Sequence, residues 1–354
     1  MLRAIGTGYD AWGDEGTKDL FRVVNEIIFT VSLPLAGCQL FTRDPKDVKE
    51  LMDIFARLEE GSTPSALIFP WIPTPTRFRR IIAGLRLYRM MKNLVKERES
   101  AEVDVDDPLQ NLINEYLIPR YGTCSATILF AAVANTANLF AWTLVYLEHH
   151  REWKNRLRSE IELFLQDTGL AASDNLERDM ADIPLSVIDE KLQVIELVMN
   201  EVLWLQSSGP FVRRNIGDPI TIDGVHIPAG AFIMFPAADL HRNEELFPAP
   251  EVFDPTRFSP ENIARRKEFG TSFIGWGASR HPCVGKRAAL LEVKMMTILL
   301  MAKYHFELVD TAKSPLLVIP AVKVDRLFKV CGPVEPVNIR FRRRNSTSVE
   351  TACH

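Results

Sequence analysis

The most constraining feature of the sequence is an uncharged stretch in the middle of the chain, residues 121–147. It is long enough to cross a membrane as a helix. However, it contains polar residues, among them Ser125 and Asn135, and basic residues lie on both flanks, so no membrane orientation is implied. We therefore predict a long helix buried in a large soluble domain.

Helical and strand-like patterns divide the rest of the chain. Apolar residues at helical spacing, with charged residues between them, predict helices at residues 18–29, 45–58, 77–99, 151–165, 189–206 and 285–302. Short runs joined by Asp-Gly and Ala-Gly turns predict strands at residues 211–214, 220–228 and 231–234. An acidic linker is predicted at 102–107 and a polar loop at 170–185. The fold class is therefore mainly α with small β-sheets.

Composition excludes several classes of function. The net charge of −4 gives no sign of non-specific nucleic-acid binding, so we predict no nucleic-acid partner. The five cysteines are an odd number and include no Cys-x-x-Cys pair, which argues against a disulfide framework and against a structural zinc site. A reducing compartment or a cytosolic face fits this cysteine usage best.

A glycine-rich loop at residues 273–285 contains the main candidate functional residue, Cys283. Aromatic, small and basic residues in it are followed by Cys-x-Gly at the start of a predicted helix. In such a turn Cys283 can be a small buried residue, or a nucleophile with His281 as its base. Neighbouring loop residues rarely face each other, and no oxyanion motif accompanies this pair. The loop instead resembles the haem-binding loop of the cytochrome P450 superfamily.

The resemblance implies that Cys283 is the axial thiolate ligand of the iron in haem b. Amides at a helix N-terminus favour the thiolate form of a cysteine, and the thiolate donates electron density that favours cleavage of the O–O bond. Amides just after Cys283 can hydrogen-bond the sulfur and tune that donation. Gly277 and Gly285 would let the backbone approach a flat macrocycle.

Four further side chains are implied to contact the cofactor. Trp276 would shield the sulfur, and Arg280 or His281 would pair with a haem propionate. On a predicted strand, Arg213 resembles the family's strand arginine that binds a propionate. The neighbouring Arg214 is the alternative, and either could simply face solvent.

The family's activity follows from the same resemblance. It implies a haem-thiolate monooxygenase that inserts oxygen into an apolar small molecule, such as a steroid, a terpenoid or another specialised metabolite. Its electrons would come from NADPH through NADPH-cytochrome P450 reductase, and Lys286 and Arg287 beside the cysteine would help to dock this acidic partner. The family location is the cytosolic face of the endoplasmic reticulum.

The uncharged helix resembles the family's central helix over the distal face of the haem. Small and polar residues fall at helical spacing along it: Ala131, Ala134, Asn135 and Asn138. The family pattern has an acid followed by a threonine, whereas this chain has Asn135 followed by Thr136, similar to the cholesterol 7α-hydroxylase and prostacyclin synthase branch. Asn135 and Thr136 are thus the implied catalytic residues. The asparagines could also merely satisfy hydrogen bonds in the core.

A second departure lies in the Glu-x-x-Arg pattern of the family. Glu201 is present, but Trp204 stands in place of the arginine, and Arg257 occupies the later position of the same buried network. Tryptophan has one donor and no charge, so it cannot replace a bidentate arginine. Losing one partner of such a network costs roughly 3–5 kcal/mol, part of which a direct Glu201–Arg257 pair would recover.

The beginning of the family pattern has no counterpart here. Members begin with a membrane-anchor helix, a small sheet and several helices, and roughly a quarter to a third of the usual length would be absent. We expect a single partial P450 domain over residues 1–343, followed by a disordered tail at 344–354. For a chain without the anchor, we expect a cytoplasmic location. Besides the monooxygenase, a haem-thiolate isomerase or dehydratase and a non-catalytic remnant stay open.

Overall fold

The structure is a computed structural model that describes residues 1–60, 71–101, 107, 109–111, 121–206, 210–266, 273–278, 280–323 and 331–344. The side chains of residues 101, 121–128, 130, 210 and 278 are not included in this description. Residues 345–354 of the tail predicted at 344–354, and residues 102–106 of the predicted acidic linker, lie outside the described residues.

Helices account for most of the described chain. In order they are α1 (Leu2–Asp10), α2 (Leu20–Leu35), α3 (Pro45–Glu60), α4 (Pro75–Ala101), α5 (Tyr121–His149), α6 (Arg151–Asp167), α7 (Leu176–Asp179), α8 (Leu185–Lys191), α9 (Val194–Gln206), α10 (Ala237–His241), α11 (Pro260–Arg266) and α12 (Lys286–Lys303). Short 3-10 helices lie at Gln39–Arg43, Leu170–Ala172, Met180–Asp182 and Pro255–Phe258.

The strands form small antiparallel sheets. They are β1 (Glu15–Asp19), β2 (Pro210–Arg214), β3 (Ile220–Ile222), β4 (Val225–Ile227), β5 (Phe232–Pro236), β6 (Gly277–Ala278), β7 (His281–Pro282), β8 (Tyr304–Val309) and β9 (Asn338–Arg343). The largest sheet has the order β1-β9-β8, and the other strands pair as β2 with β5, β3 with β4 and β6 with β7.

The long helix α5 runs through the main core. Its Trp142 is fully buried, and the Trp142 indole N–H donates to the carbonyl oxygen of Cys331 at 2.7 Å. Helix α2 packs along α5, and the ring of Phe21 meets the ring of Trp142 edge-on with a centroid separation of 5.4 Å. The uncharged stretch is therefore buried against protein along the half that follows residue 133, where most of its side chains are inaccessible.

The mainly α prediction is confirmed, with local differences. Residues 2–10 form a helix that the sequence patterns did not reveal, because Gly6 and Gly8 interrupt its short apolar stripe. The helix predicted from residue 18 begins at Leu20, since residues 15–19 pair with β9 and the Asp19 carboxylate caps the helix at the Arg22 N–H, 2.8 Å away. The predicted 189–206 helix is divided between α8 and α9, and the predicted polar loop at 170–185 contains α7.

Within the described part of the chain, no helix combines the length and the apolar character that a membrane crossing requires.

Candidate functional site

The cysteine loop contains a short hairpin whose two strands have two residues each. Strands β6 and β7 pair Gly277 with Pro282 and Ala278 with His281. Gly277 has a φ of 76°, and a Cβ atom there would overlap the carbonyl oxygen of His281. Because L side chains rarely adopt this conformation, and because there is no room for one, the hairpin requires glycine at this position.

Cys283 lies between this hairpin and helix α12. Its N–H donates to the carbonyl oxygen of Trp276 at 2.6 Å, and its carbonyl oxygen accepts the N–H of Lys286 at 3.3 Å, where the helix begins. The cysteine is exposed, and the side chain of the neighbouring Val284 is fully exposed. The loop therefore presents the thiol, together with an apolar side chain, on an open face at the start of an 18-residue helix.

Trp276 fixes this loop to helix α9. Its indole N–H donates to the Oδ1 atom of Asn200 at 2.7 Å, and its ring packs against the main core. The Lys286 ammonium lies 5.9 Å from the ring centroid. Asn200 was missed by the sequence analysis, and its only signal was its position directly before Glu201.

The predicted cationic residues fall into two groups. Arg280 and His281 are both exposed on the cysteine hairpin, so the structure brings them together with Cys283. Arg213 is exposed on the separate β2–β5 sheet, where its guanidinium donates to the carbonyl oxygen of Val212 at 2.9 Å. Its neighbour Arg214 instead donates to the carbonyl oxygen of Gly230 at 3.2 Å.

Glu201 and Arg257 are in direct contact inside the protein. The Arg257 Nε atom is 3.3 Å from Glu201 Oε1, which also accepts the N–H of Asp254 at 2.9 Å. Burial raises the pKa of Glu201 to about 7, although the Asp254 N–H and Arg257 favour its charged form. The remaining guanidinium nitrogens of Arg257 donate at 2.6–2.7 Å to the carbonyl oxygens of Pro248, Ala249 and Val252.

Trp204 occupies the position where the family pattern has arginine. It is 2% exposed, and its indole N–H donates to the carbonyl oxygen of Pro250 at 3.2 Å. Its ring stacks on His241 and packs against Phe247 and Phe273. The Oε2 atom of Glu201 is buried and has no hydrogen-bond partner among the described residues. An unsatisfied acceptor of this kind lowers stability, and it is expected where the second cation of the network is lacking.

The distal residues lie on different sides of α5. Ala131 is exposed, and Asn135 is half-buried with its side-chain amide donating to the Ala131 carbonyl oxygen at 3.2 Å. Thr136 is buried, and the Asn138 amide donates to the carbonyl oxygen of Ala134 at 2.7 Å. Asn135, rather than Thr136, therefore has access to the space beside the helix.

An open cleft reaches α5 from the side of α2 and α3. Its volume is about 860 Å³, and its lining combines apolar side chains such as Phe21 and Met52 with charged ones such as Arg22 and Asp53. Asn138 is the residue of α5 that lines it. A smaller cavity of about 80 Å³, lined by Ala134, lies nearby between the same helices. The larger volume is in the range of small-molecule binding sites.

The donor set at the cysteine loop fits the haem that the resemblance implies. A macrocycle bound through sulfur needs an exposed thiol, an apolar surface beside it and cations for its carboxylates. Cys283 provides the thiol and Val284 the apolar contact, and Arg280 and His281 are exposed cationic candidates on the same hairpin. Among the described residues, no cluster of His, Cys, Asp and Glu side chains competes as a metal site.

Comparison with known proteins gives a consistent result. The family model "Cytochrome P450" matches residues 14–331. Cytochrome P450 monooxygenase nsrP of Aspergillus novofumigatus is 28% identical over 348 residues, covering 95% of this chain and 63% of that protein. Human 24-hydroxycholesterol 7-alpha-hydroxylase is 26% identical over 84% of this chain and 62% of its own length. Sterol 14-demethylase of Arabidopsis thaliana is 26% identical over 95% of this chain and 67% of its own length. The chain spans about three fifths of the length of the first of these relatives.

Proposed function

The chain belongs to the cytochrome P450 family, and from this premise we propose that it is a haem-thiolate monooxygenase acting on an apolar small molecule. The family implies a haem b cofactor with a cysteine thiolate as the axial ligand to iron. We assign that ligand to Cys283, and the observation that carries the proposal is its exposed position between the glycine hairpin and the N-terminus of α12. When bound, the haem supplies the activation of dioxygen.

The residues around Cys283 orient the cofactor in this proposal. Arg280 and His281 would pair with its carboxylates from the cysteine hairpin, and Arg213 would do so from β2. Gly277 and Gly285 would keep the backbone clear of the macrocycle. Trp276 would cover one side of the bound sulfur, which is exposed without the cofactor.

On the distal side, Asn135 is the polar group that we assign to contact dioxygen, because it is only half-buried on α5. Its amide can donate a hydrogen bond, but it does not titrate and cannot pass on a proton in the way a carboxylic acid does. Thr136 is the second candidate, and its burial makes it the weaker one. Protons would therefore have to arrive through water, and the cleft beside α5 opens at Asn138 rather than at Asn135.

The substrate is proposed to be a sterol, a terpenoid or another apolar metabolite. Two relatives carry names of sterol enzymes, a 7-alpha-hydroxylase and a 14-demethylase, and a third is a fungal P450 monooxygenase. The cleft of about 860 Å³ beside α5 has the volume for such molecules, and its apolar side chains Phe21 and Met52 would contact them beside the charged Arg22 and Asp53.

Electrons are proposed to come from NADPH through a P450 reductase. Lys286 and Arg287 lie within four residues of Cys283, and Arg287 is exposed. Positive charge around the ligand loop favours docking of an acidic partner and would make the rate of reduction depend on ionic strength.

The surface of α4 supports a location at a membrane face. Its core-facing residues include Ala83, Leu87, Met91 and Leu94. Large exposed apolar side chains follow the opposite side at helical spacing: Phe78, Ile81, Ile82, Leu85 and Tyr88. Exposed basic residues flank them: Arg77, Arg79, Arg86 and Arg89. An apolar stripe bordered by arginines is the pattern of helices that lie at anionic lipid surfaces, and the cytosolic face of the endoplasmic reticulum provides such a surface.

Isotope-labelled dioxygen separates the proposal from the alternative of an isomerase or dehydratase. The haem-loaded chain is incubated with a P450 reductase, NADPH and a panel of sterols and terpenoids. The proposal expects a product that carries one labelled oxygen atom and forms only when NADPH is present. Rearranged product without NADPH would favour the isomerase, which the asparagine at position 135 supports.

A further inference from the structure

We propose that Asn200 is a positioning residue for the thiolate ligand and that it acts on Cys283 through Trp276. This inference rests on the proposed haem-thiolate function. It concerns a contact between the middle of α9 and the ligand loop.

Two hydrogen bonds in series connect the helix to the cysteine. Asn200 Oδ1 accepts the indole N–H of Trp276 at 2.7 Å. The carbonyl oxygen of the same tryptophan accepts the N–H of Cys283 at 2.6 Å. Trp276 is thus held through its side chain and in turn holds the ligand through its backbone, so a movement of the indole ring is transmitted to the cysteine.

Helix α9 provides a rigid support for this connection. Asn200 is 8% exposed, and the next residue, Glu201, is fully buried and bonded to Arg257 and to the Asp254 N–H. Adjacent residues of one helix therefore hold two separate later segments of the chain. The ligand loop also lies close to this helix, because a Cβ atom at Gly275 would be 2.9 Å from the side chain of Leu203.

The cysteine itself has little other support. Its side chain is exposed, and the preceding hairpin consists of two residue pairs. A short hairpin is marginally stable by itself. The Asn200–Trp276 bond therefore decides how well the Cys283 N–H, and with it the direction of the thiol, is fixed before the cofactor binds. Preorganised ligands of this kind depend on the residues that orient them.

The experiment uses two variants that remove the same bond from opposite ends, and their combination. Asn200→Leu removes the acceptor and Trp276→Phe removes the donor while keeping an aromatic ring. The matched control is Gln206→Leu, which removes a buried amide from the same helix, where Gln206 donates to the Tyr146 hydroxyl at 2.9 Å. Two readouts are measured: hydrogen exchange of the Cys283 amide in the haem-free protein, and the thiolate-ligated fraction of the reduced, carbon monoxide-bound haem protein.

We expect either single variant to speed exchange of the Cys283 amide by about 5-fold, the factor expected for one neutral hydrogen bond. Each should also lower the thiolate-ligated fraction. The double variant should match Trp276→Phe alone, since Asn200 acts only through the indole N–H. Gln206→Leu should keep both readouts at wild-type values even where it lowers stability.

Unchanged exchange in Asn200→Leu, or effects that add in the double variant, would overturn the inference. If one single variant does not fold, the other removes the same bond and decides the question. Failure of the proposed function is recognised separately, because wild-type protein would then show no thiolate-ligated haem while the exchange measurement still tests the role of Asn200.

Discussion

The indole ring of Trp204 stacks on the imidazole ring of His241, with the ring centroids 4.2 Å apart and the planes 15° from parallel. The Nδ1 atom of His241 lies 3.3 Å from the carbonyl oxygen of Trp204 and donates to it. The Arg257 guanidinium is 5.9 Å from the indole centroid. Where the family pattern has an arginine, this chain therefore has a buried aromatic cluster beside a single buried ion pair.

Truncating Trp204 should test how much the aromatic cluster contributes to the free energy of unfolding. Trp204→Ala leaves a cavity among His241, Phe247 and Phe273, and we expect a loss of about 3–5 kcal/mol in the free energy of unfolding. Trp204→Phe keeps a ring and loses the bond to the Pro250 carbonyl, so about 1 kcal/mol is expected. Urea unfolding measures both, and equal losses would show that the stacked ring contributes little.

Removing Arg257 should lower the free energy of unfolding more than breaking an exposed ion pair does. Arg257→Ala leaves Glu201 without its charged partner and removes one donor from each of the carbonyl oxygens of Pro248, Ala249 and Val252, so we expect a loss of about 3–5 kcal/mol. The control is Arg340→Ala, which breaks a half-exposed pair with Glu307 and should cost about 0–1 kcal/mol. Similar losses in the two variants would contradict the buried network.

The buried His241 should make the protein sensitive to acid. Burial lowers the pKa of His241 to about 4, helped by the charge of Arg242 and opposed by the bond to the Trp204 carbonyl oxygen. Between the ordinary pKa of about 6.5 and this value the unfolded chain binds the proton and the folded chain does not, so the free energy of unfolding falls as the pH falls.

The variant His241→Phe keeps an aromatic ring against Trp204 and removes this titration. Denaturant unfolding from about pH 7 to about pH 4.5 should show a smaller loss of stability than in the wild type, by up to about 3 kcal/mol. Parallel curves for the two proteins would show that His241 does not titrate in this way.

Gly277 should be needed for cofactor uptake rather than for the fold as a whole. Gly277→Ala forces a side chain into the carbonyl group of His281 at a positive φ, so we expect the hairpin to open and haem uptake to be lost. The control is Gly169→Ala, because Gly169 has a φ of 72° and an added Cβ would meet no heavy atom of the described residues within 4 Å. It should cost about 1 kcal/mol through backbone strain alone and leave haem uptake unchanged. Haem titration of both purified variants decides the matter.

The parts of the site that were predictable from the sequence are local. Cys283 and the helix after it lie within a few residues of each other, and the helix predicted from residue 285 begins at Lys286. The hairpin that pairs Gly277 with Pro282 was not predicted, because two-residue strands leave no periodic pattern. The prediction that Trp204 cannot replace an arginine beside Glu201 agrees with the buried Oε2 atom of Glu201, which has no hydrogen-bond partner among the described residues.

Contacts between distant segments could not be predicted in this way. Asn200 and Trp276 are 76 residues apart, and an asparagine in an apolar helix carries no signal of its bonding partner. The carbonyl oxygens that surround Arg257 belong to a stretch without regular periodicity, so its support was invisible as well. Helix α1 escaped prediction because Gly6 and Gly8 interrupt its apolar stripe, and its packing against α2 and α12 stabilises it.

The most direct test of the central claim is the spectrum of the reduced protein with carbon monoxide. Purified protein, shown to be folded by circular dichroism, is loaded with haem, reduced and exposed to the gas, alongside Cys283→Ala. The account predicts the red-shifted Soret band of thiolate-ligated haem in the wild type and its loss in Cys283→Ala. A folded wild-type chain that takes up no haem, or a band that persists without Cys283, would contradict it.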